Sequence, residues 1–174
     1  DEARRNYTLV LKGHIALSTA IFPKGTTGSE LDPFARRPLW DAGLDYDHGT
    51  GHGVGSYLAV HEGPGRISKG PNNIALKPGM IFSNEPGYYK EGEYGIRIEN
   101  LITVVEVKTT GDREMFGFEN LTWAPLDKNM MMSEILTEEE EAWVNDYHSK
   151  TFDKLKDRME GEALEWLRDV TSPI

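Results

Sequence analysis

Glycine occupies every second position from 49 to 55, in the segment His48-Gly-Thr-Gly-His52-Gly-Val-Gly-Ser. A glycine inside a helix costs about 1 kcal/mol relative to alanine. Four in seven residues therefore argue against a helix, although His48 and His52 stand at the i, i+4 spacing of one helical face. An extended backbone is the alternative, and glycine there admits close approach of another chain or a ligand. In a fully extended segment His48 and His52 would be ~13 Å apart and point the same way. They could share one ion only if the chain curled. Different tasks are expected of them, one as a ligand and one as a proton donor or acceptor at the rim. His61 is a third imidazole within the same 14 residues.

Two carboxylates follow in otherwise apolar segments, Glu85 in Asn84-Glu-Pro-Gly and Glu99 in Ile96-Arg-Ile-Glu-Asn. Imidazole nitrogen with carboxylate oxygen suits Zn or Mn and can also transfer protons. Branched apolar neighbours predict a buried Glu99, which then needs a metal or a cationic partner. Arg97, two residues earlier on the same strand face, is the candidate cation for a structural pair. Glu85 either opens a turn before Pro86 or converges with Glu99.

Hydrophobic spacing predicts a helix over 3–22, stopped by Pro23 and Gly25. A second helix is expected from Asp32 as N-cap, with Pro33 at its first position and Pro38 shortening or kinking it. Residues 63–79 read as a loop. Met80 to Asn84 and Ile96 to Val107 read as strands, turned into an antiparallel pair by 86–94, and 115–123 as another. Thr137-Glu-Glu-Glu140 is a capping box that opens a helix along Trp143, Tyr147, Thr151, Leu155 and Met159, broken by Gly161. A short helix with Leu164 and Leu167 follows Gly161. The expected class is α+β, an antiparallel sheet flanked by helices. His14 is placed in a core or behind the site, and His148 on a solvated helix face.

The 174 residues suffice for a real core, and 38% apolar with 28% charged content reads as soluble and globular. The absence of cysteine excludes disulfides and thiolate metal sites and fits a reducing compartment. No apolar run approaches the ~20 residues of a membrane span, and no signal peptide opens the sequence. The net charge of −10 argues against a nucleic-acid partner. Several familiar patterns are missing: His-Glu-x-x-His, the Gly-x-Ser-x-Gly elbow, a phosphate loop and the complete dinucleotide fingerprint.

The residues resemble the aminopeptidase P (X-Pro aminopeptidase) family of "pita-bread" metallopeptidases, which also include prolidase and methionine aminopeptidase. The resemblance runs from about Val10 to Ile174. It is carried by Leu-Lys-Gly-His14, Leu39-Trp-Asp, Leu44-Asp-Tyr, His48 to Pro64, Asn84 to Tyr89, Gly95 to Asn100, Leu121-Thr-Trp-Ala-Pro-Leu and Ala163-Leu-Glu-Trp-Leu. Eight residues separate His52 from His61, a spacing similar to the long, cytosolic-type enzymes.

The resemblance implies the C-terminal part of a pita-bread catalytic domain with a two-metal site, usually Mn²⁺, with Zn²⁺ or Co²⁺ as alternatives. It implies His52, Glu85 and Glu99 as metal ligands, with Glu85 also the base and Glu99 bridging the ions. His48 and His61 would hold substrate and stabilise the tetrahedral intermediate, and Arg97 would orient carboxylates. The implied reaction releases an N-terminal residue from peptides with proline second, through attack of a metal-bridged hydroxide. The family's two aspartate ligands have no counterpart here; Asp32, Asp41, Asp45 and Asp47 lie in the wrong context. The expectation is a fragment that is inactive alone, comprising catalytic-domain residues 1–128 and a helical extension 129–174. The resemblance also implies a cytoplasmic homodimer acting on peptides, while charge and composition argue against nucleic-acid and membrane partners. A prolidase-type dipeptidase and a non-catalytic protein-binding module are the alternatives.

Overall fold

The computed structural model describes residues 1–57 and 59–174. The chain divides into two compact units, one of Leu9–Thr122 and one of Asp1–Thr8 with Trp123–Ile174. Helix α1 (Glu2–Ser18) opens the chain, followed by β1 (Phe22–Pro23) and α2 (Gly28–Trp40). The strands β2 (Gly51–His52), β3 (Arg66–Ile67), β4 (Ile81–Asn84), β5 (Gly87–Lys90), β6 (Tyr94–Arg97), β7 (Asn100–Val107) and β8 (Met115–Asn120) come next. Helices α3 (Glu138–Leu155) and α4 (Gly161–Val170) close the chain. The class is α+β, as expected from the sequence.

In the larger unit, β1, β8, β7 and β4 form a four-stranded antiparallel sheet in that order. One face buries Phe82, Ile102, Val104 and Phe116 against Leu17 of α1 and Leu31 and Ala35 of α2. The helices meet closely because Gly13 lies against Ala35: an added Cβ would stand 2.0 Å from its carbonyl oxygen. The glycine-rich segment is extended, as predicted. Its strand β2 pairs with β3 and lies beside β4, with the Val54 N–H donating to Ile81 O (3.0 Å).

Several expectations change. The first helix ends at Ser18 rather than at 22, and Phe22 and Pro23 form β1. Helix α2 begins four residues before Asp32, because Thr27 and Glu30 form a capping box that the later Asp-Pro pair obscured. The predicted 96–107 strand is two strands. β5 and β6 form their own hairpin, and the chain leaves it at Ile98 and Glu99 before entering β7 at Asn100, opposite Asn84. The stretch 63–79 contains β3, whose backbone pairs with the histidine strand.

In the smaller unit, Tyr147 stacks between Trp123 and Trp143, with ring centroids 5.4 and 5.2 Å away. The Thr137 capping box opens α3 as predicted, but the helix ends at Leu155, short of Met159. His148 is not solvated: it is fully buried, and its Nε2 accepts from the Leu126 N–H (3.1 Å). Burial lowers its pKa, and the Lys128 charge adds to the effect. The acidic residues of the helix's first turn suggested a solvated surface, whereas the face of Val144, Tyr147, His148 and Thr151 is buried.

Candidate functional site

The site is built where β2 lies against the end of β4. Ser83 in β4 accepts from the His52 backbone N–H (3.0 Å) and donates to Glu85 Oε1 (2.8 Å). One hydroxyl thus fixes both the histidine strand and the carboxylate. The His52 Nδ1 lies 3.0 Å from the Gly53 carbonyl, which can only accept, so Nδ1 carries the proton. The Nε2 atom faces Glu85 Oε1, 3.3 Å away. Glu99 completes the group: one ligand atom each from His52, Glu85 and Glu99 lie within 4.8 Å of one another. An imidazole with its far nitrogen hydrogen-bonded, beside two carboxylates, is a set of donors that fits a divalent cation.

Glu99 corrects an expectation, since it is exposed rather than buried. Beyond the end of β6 it faces His52 and Glu85, whereas Ile98 and Asn100 on either side are buried. Arg97 does not form the expected pair with Glu99 either. Its guanidinium ion-pairs with Glu85 Oε2 (3.7 Å) and donates from Nε to the Tyr89 hydroxyl (2.9 Å).

That hydroxyl leads to His48. The His48 Nδ1 faces the Gly49 carbonyl (2.8 Å) and so carries the proton, which makes Nε2 the acceptor of the Tyr89 O–H (2.9 Å). Donation therefore runs from Arg97 to Tyr89 to His48. The His61 ring packs edge-on against His52 with centroids 4.3 Å apart. All three histidines, Glu85 and Arg97 line one open pocket of about 480 Å³, together with Gly49, Gly51, Arg66 and Ser68. The separation inferred for His48 and His52 holds in kind, with the two imidazoles bonded to different partners.

Sequence reasoning missed Tyr89, Ser83 and the buried network beneath the histidines. Arg36 and Asp32, each 1% exposed, pair at 2.7 Å on α2. The Arg36 guanidinium also donates to Asp45 Oδ1 (2.9 Å), Tyr46 O (2.6 Å) and His48 O (2.8 Å). Asp32 accepts from the Thr50 hydroxyl (2.6 Å), which also bonds the Tyr46 hydroxyl (2.6 Å). Burial would raise the Asp45 pKa, but bonds from Lys69, Trp40, the Tyr46 N–H and Arg36 hold it well below the usual carboxylate range. A sequence clue existed for Asp32 and Arg36, an i, i+4 acid–base pair on one helix face. Tyr89 shares the alternation of Glu85 and Gly87, which is too weak a clue alone.

Residues 1–106 match metallopeptidase family M24, and 114–174 match the C-terminal region of peptidase M24. The chain belongs to metallopeptidase family M24. Among M24 relatives, the probable Xaa-Pro aminopeptidase P of Laccaria bicolor is 53% identical over 181 residues, covering 100% of this chain and 28% of that protein. The solved X-prolyl aminopeptidase of Caenorhabditis elegans, described as a cytosolic enzyme with a di-nuclear active site, superposes with a TM-score of 0.94 at 41% identity. That comparison covers 100% of this chain and 29% of the other. The prolidase of Pyrococcus furiosus, at 32% identity and TM-score 0.59, covers 72% of this chain and 34% of its own. The chain thus spans under a third of the M24 Xaa-Pro aminopeptidases it resembles, and its pita-bread architecture is the corresponding part of theirs.

Proposed function

We propose that a full-length protein carrying this chain is a metal-dependent Xaa-Pro aminopeptidase, releasing the N-terminal residue from peptides with proline in the second position. The observation that carries the reading is the convergence of His52, Glu85 and Glu99 within 4.8 Å, beside His48 and His61, in an M24 chain. A divalent cation pair bound there supplies Lewis-acid polarisation of the scissile carbonyl and lowers the pKa of water. His52, Glu85 and Glu99 would hold the metal from this chain, and Glu85 would also accept the proton of the attacking water. Two aspartates are assigned to sequence beyond this chain. Arg97 orients Glu85 and, through Tyr89, sets the hydrogen bonding of His48. His48 and His61 flank the ligands and hold the substrate carbonyl. Mn²⁺ is the assigned metal, and the intact protein is assigned to the cytoplasm as a homodimer.

The test compares this chain with the full-length protein, each supplied with Mn²⁺, on a tripeptide X-Pro-Y and a dipeptide X-Pro. Release of the first residue from the tripeptide by the full-length protein alone is the expected result. Cleavage of only the dipeptide would make it a prolidase, and no cleavage of either would favour a protein-binding module. Elemental analysis of the purified protein tests the metal.

A further inference from the structure

Arg66 is the pocket's second guanidinium. It stands directly opposite His52 in the β2–β3 pairing, and residues opposed in this way carry their side chains on the same face. Its backbone is held in place: its carbonyl accepts from Asn72 Nδ2 (3.3 Å) and packs where a Cβ on Gly28 would come within 2.0 Å. The side chain is exposed and lines the pocket with His52, His61 and Ser68.

The two guanidiniums differ in what they bind. Arg97 is paired with Glu85 and Tyr89. Among the described residues the Arg66 side chain donates only from Nη2 to the Pro71 carbonyl (3.1 Å), and no carboxylate pairs with it. A guanidinium carries five N–H donors in a planar fork suited to a carboxylate, so most of its capacity is unused. Its position matters as well. A fixed positive charge beside a cation site weakens cation binding, so assisting the metal does not explain it. An anionic group arriving with the substrate does.

We propose that Arg66 is a specificity-determining residue that pairs with a carboxylate on the leaving part of the peptide. This rests on the Xaa-Pro aminopeptidase reading and narrows its substrate class. The favoured substrates are peptides whose residue after proline carries a carboxylate, either a free C-terminus or an acidic side chain.

The experiment uses the full-length protein, wild type, Arg66→Gln and Arg66→Glu, loaded with Mn²⁺. The substrates are Ala-Pro-Tyr as free acid, the same peptide as amide, Ala-Pro-Asp amide and Ala-Pro-Lys amide. Wild type is expected to show a KM about tenfold lower for at least one carboxylate-bearing peptide than for the tyrosine amide, with kcat nearly unchanged. Whichever of the free acid and the aspartyl amide benefits identifies the carboxylate source. Arg66→Gln should abolish the difference, and Arg66→Glu should shift preference to the lysyl amide. Because the side chain is exposed, the thermal midpoint should hold in both variants. Equal KM values in wild type, or a preference that survives Arg66→Gln, would overturn the assignment. Failure of wild type to cleave any of the four would overturn the aminopeptidase reading itself, and this inference with it.

Discussion

The backbone N–H of Glu85 donates to the carbonyl of Thr50 over 2.8 Å. Through this bond the end of β4 is attached to the histidine segment two residues after His48. The Thr50 hydroxyl is in turn bonded to Asp32, and Asp32 to Arg36, which also holds the His48 carbonyl. The spacing of Glu85 from His48 therefore depends on a buried ion pair on α2.

Removing one member of that pair leaves an uncompensated buried charge. Arg36→Met should destabilise the chain by about 3–5 kcal/mol, read from its denaturant midpoint. Adding Asp32→Leu to Arg36→Met should recover part of the loss. A double variant less stable than the single one would contradict this account.

Metal binding should depend on Ser83 as well as on the ligands. His52→Ala should abolish the Mn²⁺ binding detected by calorimetric titration. Ser83→Ala removes the hydroxyl that orients Glu85 and receives the His52 N–H, and should weaken affinity about 10–100-fold. Unchanged affinity in Ser83→Ala would mean that the carboxylate is held by other contacts.

The alternating glycines should not be equivalent. A Cβ on Gly51 would lie 1.9 Å from Ser83 O, whereas the nearest atom to one on Gly49 is 3.4 Å away. Gly51→Ala must push β2 away from β4 and should cost several kcal/mol, on the order of 3 or more. Gly49→Ala should stay within about 1 kcal/mol. Thermal melts of the two variants side by side decide it.

His14 should make stability fall with acid. It is fully buried, and burial lowers its pKa from 6.5 to about 4, against the raising effect of the Ile98 and Asn84 backbone. Folded His14 thus stays neutral where the unfolded chain takes up a proton. The stability tied to it is complete above pH 6.5 and is lost as pH falls toward 4, by about 3 kcal/mol in all. His148, also lowered, adds in the same sense. Urea midpoints at pH 7 and 4.5 should differ less in His14→Gln than in wild type, and equal differences would remove His14 from the account.

Local chemistry was legible in the sequence where one residue type has few options. Alternate glycines ruled out a helix at 49–55, and β2 is extended there. The Thr137 box set the start of α3. The histidines and glutamates stood out because imidazoles and isolated carboxylates in apolar surroundings need partners. Partners themselves were less legible. The Arg97–Glu99 pair rested on strand alternation across 97–101, and that alternation holds, with Ile96, Ile98 and Asn100 buried and Arg97 and Glu99 exposed, yet the Arg97 guanidinium is drawn to Glu85 and Tyr89 from other segments.

The sequence by itself determined the α+β class, the extended histidine segment and the roster of ligand-type side chains, because each follows from local propensity or residue chemistry. Only the tertiary structure decided that Glu85 and Glu99 meet His52, that Arg97 joins Glu85 and Tyr89, and that His148 is buried. Those outcomes depend on bonds between residues distant in sequence, such as the Glu85 N–H with the Thr50 carbonyl and the Arg36 side chain with the His48 carbonyl. Local periodicity carries no information about pairing at that distance.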